Sequence, residues 1–339
     1  MRFLLDAEQT AFGRTLDRML AAADTPAVAR AWAGGDHGPG FALWERLADA
    51  GVFAVAVPRA YDGLGPLPVE LGVAFVELGR HAVPGPLVET VTAVALLSRL
   101  AERGEPAPAE EWLPRIGAGK ARVTVALAAG GPYALDADAA DATFVVTGDA
   151  LRLATGHGPV QPSLDPARRL SRPLTGGKPL AGGPAVRDAV AYAADRAAFA
   201  TAAQALGVGL ALLERTVAYA KARTQFGVVI GSFQAVKHRL ADALLGLEFA
   251  RPLLHGAAVA LASGAPGAPA EIAAAKVAAC DAAYAAARTA LQVHGAIGYT
   301  AECDVSLWLG KARALRSAWG TPAACRARAL KLFDGSFDG

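Results

Sequence analysis

The sequence predicts an α+β protein that is mainly α, with helices at both ends and a small β-rich unit between them. Three observations carry this. Apolar residues recur at helical spacing up to about residue 115, as one buried face of a 3.6-residue repeat requires. Two β-branched runs, 123–127 and 143–147, then alternate, and Gly and Pro collect over 156–184, a pattern of strands and turns. From residue 188 onward, long Ala- and Leu-rich runs are joined by short loops, which is how an antiparallel helical bundle reads. The divisions fall at 1–120, 121–186 and 187–339.

In the first part, Phe12, Leu16, Met19 and Leu20 share a helical face, and Trp44, Leu47 and Ala48 share another that Gly51 stops. Val57-Pro58 and Tyr61-Asp62-Gly63-Leu64-Gly65-Pro66 form a loop by composition. Helices resume over 70–80 and 87–101, broken at Pro84 and Pro86, and 102–108 is a polar linker. In the middle part the strand at 143–147 ends in a turn at Gly148-Asp149. Arg168, Arg169 and Arg172 then cluster, either as an anion site or as a solvated edge. In the last part helices are expected at 188–222, 233–262, 270–294 and 322–333, with a shorter one inside 302–318. Ser232 and Thr321 are the expected N-caps of two of them, and Gly295 the stop of the third.

Composition narrows the function. Hydrophobic residues make up 53% and charged residues 19%, which favours burial between subunits. A membrane span is not expected: the uncharged run 197–213 carries Thr201 and Gln204 and is flanked by Arg196 and Glu214, as suits a buried bundle helix. The apolar run from Leu253 is ended by Pro266 and Pro269. The N-terminus lacks the apolar core of a secretion signal. The three cysteines, Cys280, Cys303 and Cys325, have no metal or disulfide spacing, which fits a cytoplasmic protein. A net charge of +2 without a basic run argues against nucleic acid as a partner.

The most chemically loaded segment is Arg223-Thr224-Gln225-Phe226-Gly227, followed by Phe233-Gln234. A guanidinium fork suits a phosphate or pyrophosphate, Phe226 offers a flat apolar face, and Gln234 can pair with an amide-like ring edge. By themselves these residues equally describe a surface Arg and a core Phe at a helix–helix corner. The third long helix ends in Gln292-Val293-His294-Gly295-Ala296, which alone is ordinary C-cap chemistry.

Taken together, these segments resemble the acyl-CoA dehydrogenase family. The Val57-Pro58…Tyr61-Asp62-Gly63-Leu64-Gly65 loop and Leu113-Pro114-Arg115-Ile116-Gly117-Ala118-Gly119 extend the resemblance over nearly the whole chain. It implies a helical N-terminal domain, a middle β domain and a C-terminal four-helix bundle, in a tetramer that binds FAD between subunits. It also implies that Arg223 holds the FAD pyrophosphate of a neighbouring subunit. Gln225, Phe226 and Gln234 would line the adenosine side, and Gln292, Val293, His294, Gly295 and Ala296 would follow the cofactor's backbone.

Departures from the family pattern carry further expectations. The family's catalytic glutamate precedes a Gly-Thr pair, where this chain has Trp319 before Gly320-Thr321. Its alternative position falls near Ala197. Asp195 lies about half a helical turn away, so no catalytic residue is assigned to this chain. The middle domain is short, without the family's Gly-Ser-Asp loop or Trp-Ile-Ser/Thr strand that hold the flavin ring. The resemblance is thus to the short subunit of heteromeric actinobacterial steroid side-chain acyl-CoA dehydrogenases. It implies an α2β2 assembly in which a longer homologue supplies the glutamate and most of the acyl-CoA site, with electron-transfer flavoprotein as electron acceptor. A self-sufficient homotetramer with Asp195 as a displaced base, and a non-catalytic helical scaffold, are the alternatives.

Overall fold

The computed structural model describes residues 4–334; Met1, Arg2 and Phe3, part of the argument against a secretion signal, lie outside them. Six helices come first. They are α1 (Ala7–Ala21), α2 (Thr25–Ala33), α3 (Gly38–Asp49), α4 (Pro68–Arg80), α5 (Leu87–Glu102) and α6 (Ala107–Gly117). A capping box of Asp6 and Gln9 starts α1, satisfying two orphan donors reciprocally. Leu16 and Leu20 of α1, and Trp44 and Leu47 of α3, are buried as their spacing predicts. Gly51 takes φ +82° just after α3, a conformation that a Cβ disfavours.

The strands follow: β1 (Val123–Ala126), β2 (Ala134–Leu135), β3 (Ala142–Thr147), β4 (Ala150–Leu153), β5 (Gly156–His157), β6 (Leu170–Ser171), β7 (Pro173–Leu174) and β8 (Pro179–Gly182). The main sheet has the order β1-β3-β4-β8. β1 runs parallel to β3, pairing Val123 with Ala142, and the other neighbours are antiparallel. β1 does not alternate in burial as the sequence pattern suggests. All four of its residues are buried, because α5 lies against the sheet and Thr90 Oγ1 donates to the Val123 carbonyl at 2.8 Å. A strand covered on both faces loses its polar side.

α7 (Pro184–Ala222) leads through a hairpin, β9 (Thr224–Gln225) and β10 (Val228–Val229), to α8 (Gln234–Ala262). Then come α9 (Ala268–His294), α10 (Val305–Ser317) and α11 (Pro322–Asp334). Thr321 caps α11 through Ala324 N at 3.3 Å as expected. Ser232 does not cap α8: its hydroxyl donates to the Val229 carbonyl instead, and Phe233 occupies the N-cap position.

α7 is the axle of the bundle. A Cβ on Gly207 would lie 1.9 Å from the Val76 carbonyl oxygen, and one on Gly79 would lie 2.0 Å from that of Gln204. The α4 and α7 backbones therefore touch, and only glycine allows that approach. Alanines do similar work along α9, where Ala275, Ala279, Ala283 and Ala290 are buried. Much of the chain's apolar content is thus spent on close helix packing.

Among the described residues, two helices, α7 and α8, are long and apolar enough to cross a membrane. The most apolar window of α7 is 83% buried within the protein, against 39% for α8. The outer side of α8 instead exposes Leu244, Leu245, Phe249 and Leu253. An apolar strip of this kind marks an association surface.

Candidate functional site

Two candidate sites are built from different parts of the chain, called here the outward and the inward one. The outward one begins where α7 ends. Arg223 leaves the helix with extended backbone and its carbonyl accepts Ile230 N–H at 2.8 Å. The pairing of Gln225 with Val228 makes a two-residue turn of Phe226 and Gly227. Both turn residues have positive φ, +54° and +78°. This geometry matches the right-handed strand twist and normally takes Asn or Gly, so Phe226 is held in a strained conformation. The residue is 92% exposed, and its ring makes an edge contact with Phe233, centroids 6.3 Å apart. The core-Phe alternative for Phe226 is thereby excluded. Arg223, Gln225 and Gln234 are exposed beside it.

The second predicted segment lies next to the first. The Tyr219 carbonyl accepts the Arg223 N–H, and the Tyr219 ring stacks on His294 at 4.2 Å. His294 is turned inward, with Nδ1 2.9 Å from the Ala290 carbonyl. Gln292, Gly295 and Ala296 are exposed and Val293 is partly so. Gln292 and Gly295 border an open cleft of about 540 Å³ with Arg239, Arg288 and Tyr299. Sequence reasoning missed the two arginines. The available signal was periodicity, since Arg288 precedes Gln292 by one helical turn. Arg223, Arg239 and Arg288 make no ion pair among the described residues. The cleft is not closed over by this chain, and the Arg223 hairpin stands outside its walls.

The inward site surrounds Trp319. This residue follows α10 with φ +54°, is buried, and packs its ring against Gly130, where a Cβ would come within 3.0 Å of it. Its Nε1–H donates to Glu89 Oε1 at 3.1 Å. Glu89 is the acid that sequence reasoning overlooked. It is an isolated carboxyl group in the otherwise uncharged stretch 87–98, and such a group is seldom buried without a purpose. Burial pushes its pKa up, against the weaker opposing pull of Arg168. Both line a cleft of about 410 Å³ with Trp319, Tyr133, Leu164 and Arg313.

The arginine cluster divides. Arg169 is neither an anion site nor a solvated edge, because it makes two contacts to Asp138 and donates to the Ala33 carbonyl. Arg172 lies over the Tyr133 ring. Arg168 faces the inward cleft. Asp195 is not in that cleft. It pairs with Arg328 of α11 at 2.5 Å, and Ala197 is buried.

Family models for the acyl-CoA dehydrogenase N-terminal domain and C-terminal domain match residues 6–120 and 188–329. The acyl-CoA dehydrogenase IpdE2 of Mycobacterium tuberculosis is 34% identical over 309 residues, covering 90% of this chain and 91% of that one. The IpdE2 of Mycolicibacterium smegmatis is 32% identical over 283 residues, covering 83% and 84%. Among solved structures, the ChsE4-ChsE5 complex from Mycobacterium tuberculosis superposes with a TM-score of 0.83 at 25% identity, covering 98% of this chain and 99% of that one. A Tcur3481-Tcur3483 steroid ACAD variant gives 0.83 at 26% identity with the same coverage.

Proposed function

This chain belongs to the acyl-CoA dehydrogenase family, and from that premise we propose that it is the donor subunit of a heteromeric, FAD-dependent enzyme that places an α,β double bond in a bulky acyl-CoA. The substrate class is a steroid side-chain thioester, and the assembly is α2β2 with a longer homologue. The observation that carries the reading is Trp319, a residue that cannot accept a proton, before Gly320-Thr321, where the resemblance puts the family's glutamate. The partner then supplies the base and most of the acyl-CoA site. The similar structures named as pairs of different subunits support the mixed assembly, and the steroid ACAD among them supports the substrate class. Cytoplasmic location, electron-transfer flavoprotein as electron acceptor, and domain divisions at 1–120, 121–186 and 187–339 belong to the same proposal.

FAD is the family's cofactor, and the outward site fits it. Three arginines without ion pairs among the described residues stand beside a cleft that a second subunit would close. Bound there, FAD supplies the acceptor for the hydride leaving the β-carbon of the acyl group. Arg223 would hold the pyrophosphate, and Arg239 and Arg288, which line the cleft with Gln292, would share the charge of that group. Gln225, Phe226 and Gln234 line the adenosine side. Gln292, Val293, Gly295 and Ala296 follow the chain of the cofactor. His294 acts from beneath, through its stack on Tyr219, to set where Arg223 starts. The exposed strip of Leu244, Leu245, Phe249 and Leu253 would be covered in the assembly.

A self-sufficient enzyme would need an acid free to meet the substrate, and Asp195 is held by Arg328 outside the inward cleft. The test is expression alone and together with a longer homologue. Alone, the chain is expected to be poorly soluble or colourless; together, the complex is expected to be yellow and active. A yellow, active homo-oligomer of this chain would overturn the proposal.

A further inference from the structure

The inward cleft has features that neither FAD donation nor the loss of a base requires. Glu89 is only 3% exposed, and while Oε1 is satisfied by Trp319, Oε2 has no hydrogen-bond partner among the described residues. The flanking Leu87, Val88, Thr90 and Val91 are buried as well. An apolar residue would serve packing there better than a half-satisfied acid. The carboxyl group nevertheless borders a cleft of about 410 Å³, a volume suited to a small organic ligand.

Arg168 sits in a segment anchored on both sides. On one side of it, Asp165 forms a buried ion pair with Lys311 of α10 at 3.0 Å and accepts Ala167 N–H. On the other side, Arg169 is clamped to Asp138. Arg168 itself makes no ion pair among the described residues, and it is the strongest cationic influence on Glu89. The cleft thus brings together the Arg168 guanidinium and the Glu89 carboxyl group, with Leu164 and the Trp319 ring as apolar walls.

We propose that this cleft binds an organic carboxylate with an apolar body, its carboxylate held between the Arg168 guanidinium and the Glu89 carboxyl group. Two oxygens in one plane match a guanidinium fork and one further donor. The apolar body lies on Leu164 and Trp319. An uncharged ester or amide would leave the Arg168 charge uncompensated in a partly desolvated cleft.

Protonation sets the pH behaviour. Binding needs the ligand ionised and Glu89 neutral, so affinity falls as Glu89 loses its proton at higher pH. The other charged groups near Glu89 are Arg168, Lys311 and Arg313, and Asp136, whose carboxyl group Glu89 itself pushes up. Lys311 is already paired with Asp165. Asp136 also titrates, at about 7, so the fall must be assigned by mutation.

The test is isothermal titration of the full chain, alone or in its co-purified complex, with 3-phenylpropanoate and with 3-phenylpropanamide. No acyl-CoA or turnover is involved, so the outcome is independent of the heteromer proposal. The carboxylate is expected to bind saturably, with the amide and the Arg168→Ala variant each about tenfold weaker or worse. Glu89→Gln keeps an N–H donor and is expected to retain binding while abolishing the fall at high pH. Circular dichroism of both variants verifies folding. Absence of saturable binding, equal binding of the amide, unchanged binding by folded Arg168→Ala, or a fall at high pH that survives Glu89→Gln would each overturn the proposal.

Discussion

The Trp319 indole N–H donates to Glu89 Oε1 at 3.1 Å across 230 residues of sequence. This bond joins the turn after α10 to α5. Trp319 is held there with positive φ, a conformation that a bulky side chain adopts only when its surroundings enforce it.

Trp319→Phe keeps most of the packing and removes the donor. Glu89 Oε1 is then left buried without its partner, and the fold is expected to lose about 1–3 kcal/mol. Urea denaturation of the variant beside the parent measures this. An unchanged midpoint would mean that the indole contributes by packing alone.

Arg223→Ala removes a charge-assisted contact worth about 1.5–3 kcal/mol to FAD. The expected result is about ten- to hundredfold weaker FAD binding by the co-purified complex, with its size on gel filtration unchanged. Arg223→Lys restores the charge but not the planar fork, so it should rescue only in part. Full flavin occupancy in the alanine variant would remove this chain from the cofactor site.

Phe226→Asn tests whether strain is tolerated for function. Asn accepts positive φ readily, so the substitution should stabilise the hairpin by about 1 kcal/mol. The same change removes an exposed ring proposed to meet the adenosine, so FAD retention should fall as thermal stability rises. A variant that is stabilised with flavin content intact would show that the ring serves no cofactor.

Asp136 sets a pH dependence of stability. It is fully buried, accepts from Trp32 Nε1 and Arg169 N, and burial raises its pKa from 3.8 to about 7. The folded state therefore holds a proton that the unfolded state has already released. Its contribution to stability is fully present below the unfolded pKa and is lost as pH rises toward about 7. The expected slope is a loss of up to about 1.4 kcal/mol per pH unit within that window. Glu77, also raised to about 7 mainly by burial, adds a slope of the same sign. Asp136→Asn, which keeps an acceptor for Trp32, should flatten the curve but leave the Glu77 part. An unchanged slope on denaturation at a series of pH values would contradict this.

The helices and their ends were legible because helix formation is decided within a few residues. The faces of α1 and α3, the glycine stops at Gly51 and Gly295, and the Thr321 cap all follow from neighbours three or four positions apart. Ser232 was misread because a serine hydroxyl can satisfy either a helix or a turn, and the hairpin before α8 took it. β1 was misread because alternation reports one covered face, and α5 covers what would have been the other.

The same division holds for the two sites. Sequence alone picked out the segments 223–227 and 292–296 as candidates and determined that Trp319 stands before Gly320-Thr321, since motif and spacing are properties of the chain. Only the tertiary structure decided that Phe226 points outward under strain, that His294 turns inward onto Tyr219, and that Arg168 and Glu89 share a cleft. An aromatic at a turn is compatible with either side of a surface until the elements around it are packed. Whether a buried oxygen has a partner depends equally on residues far away in sequence, because side-chain hydrogen bonds reach only about 3 Å and packing alone brings such residues within that distance.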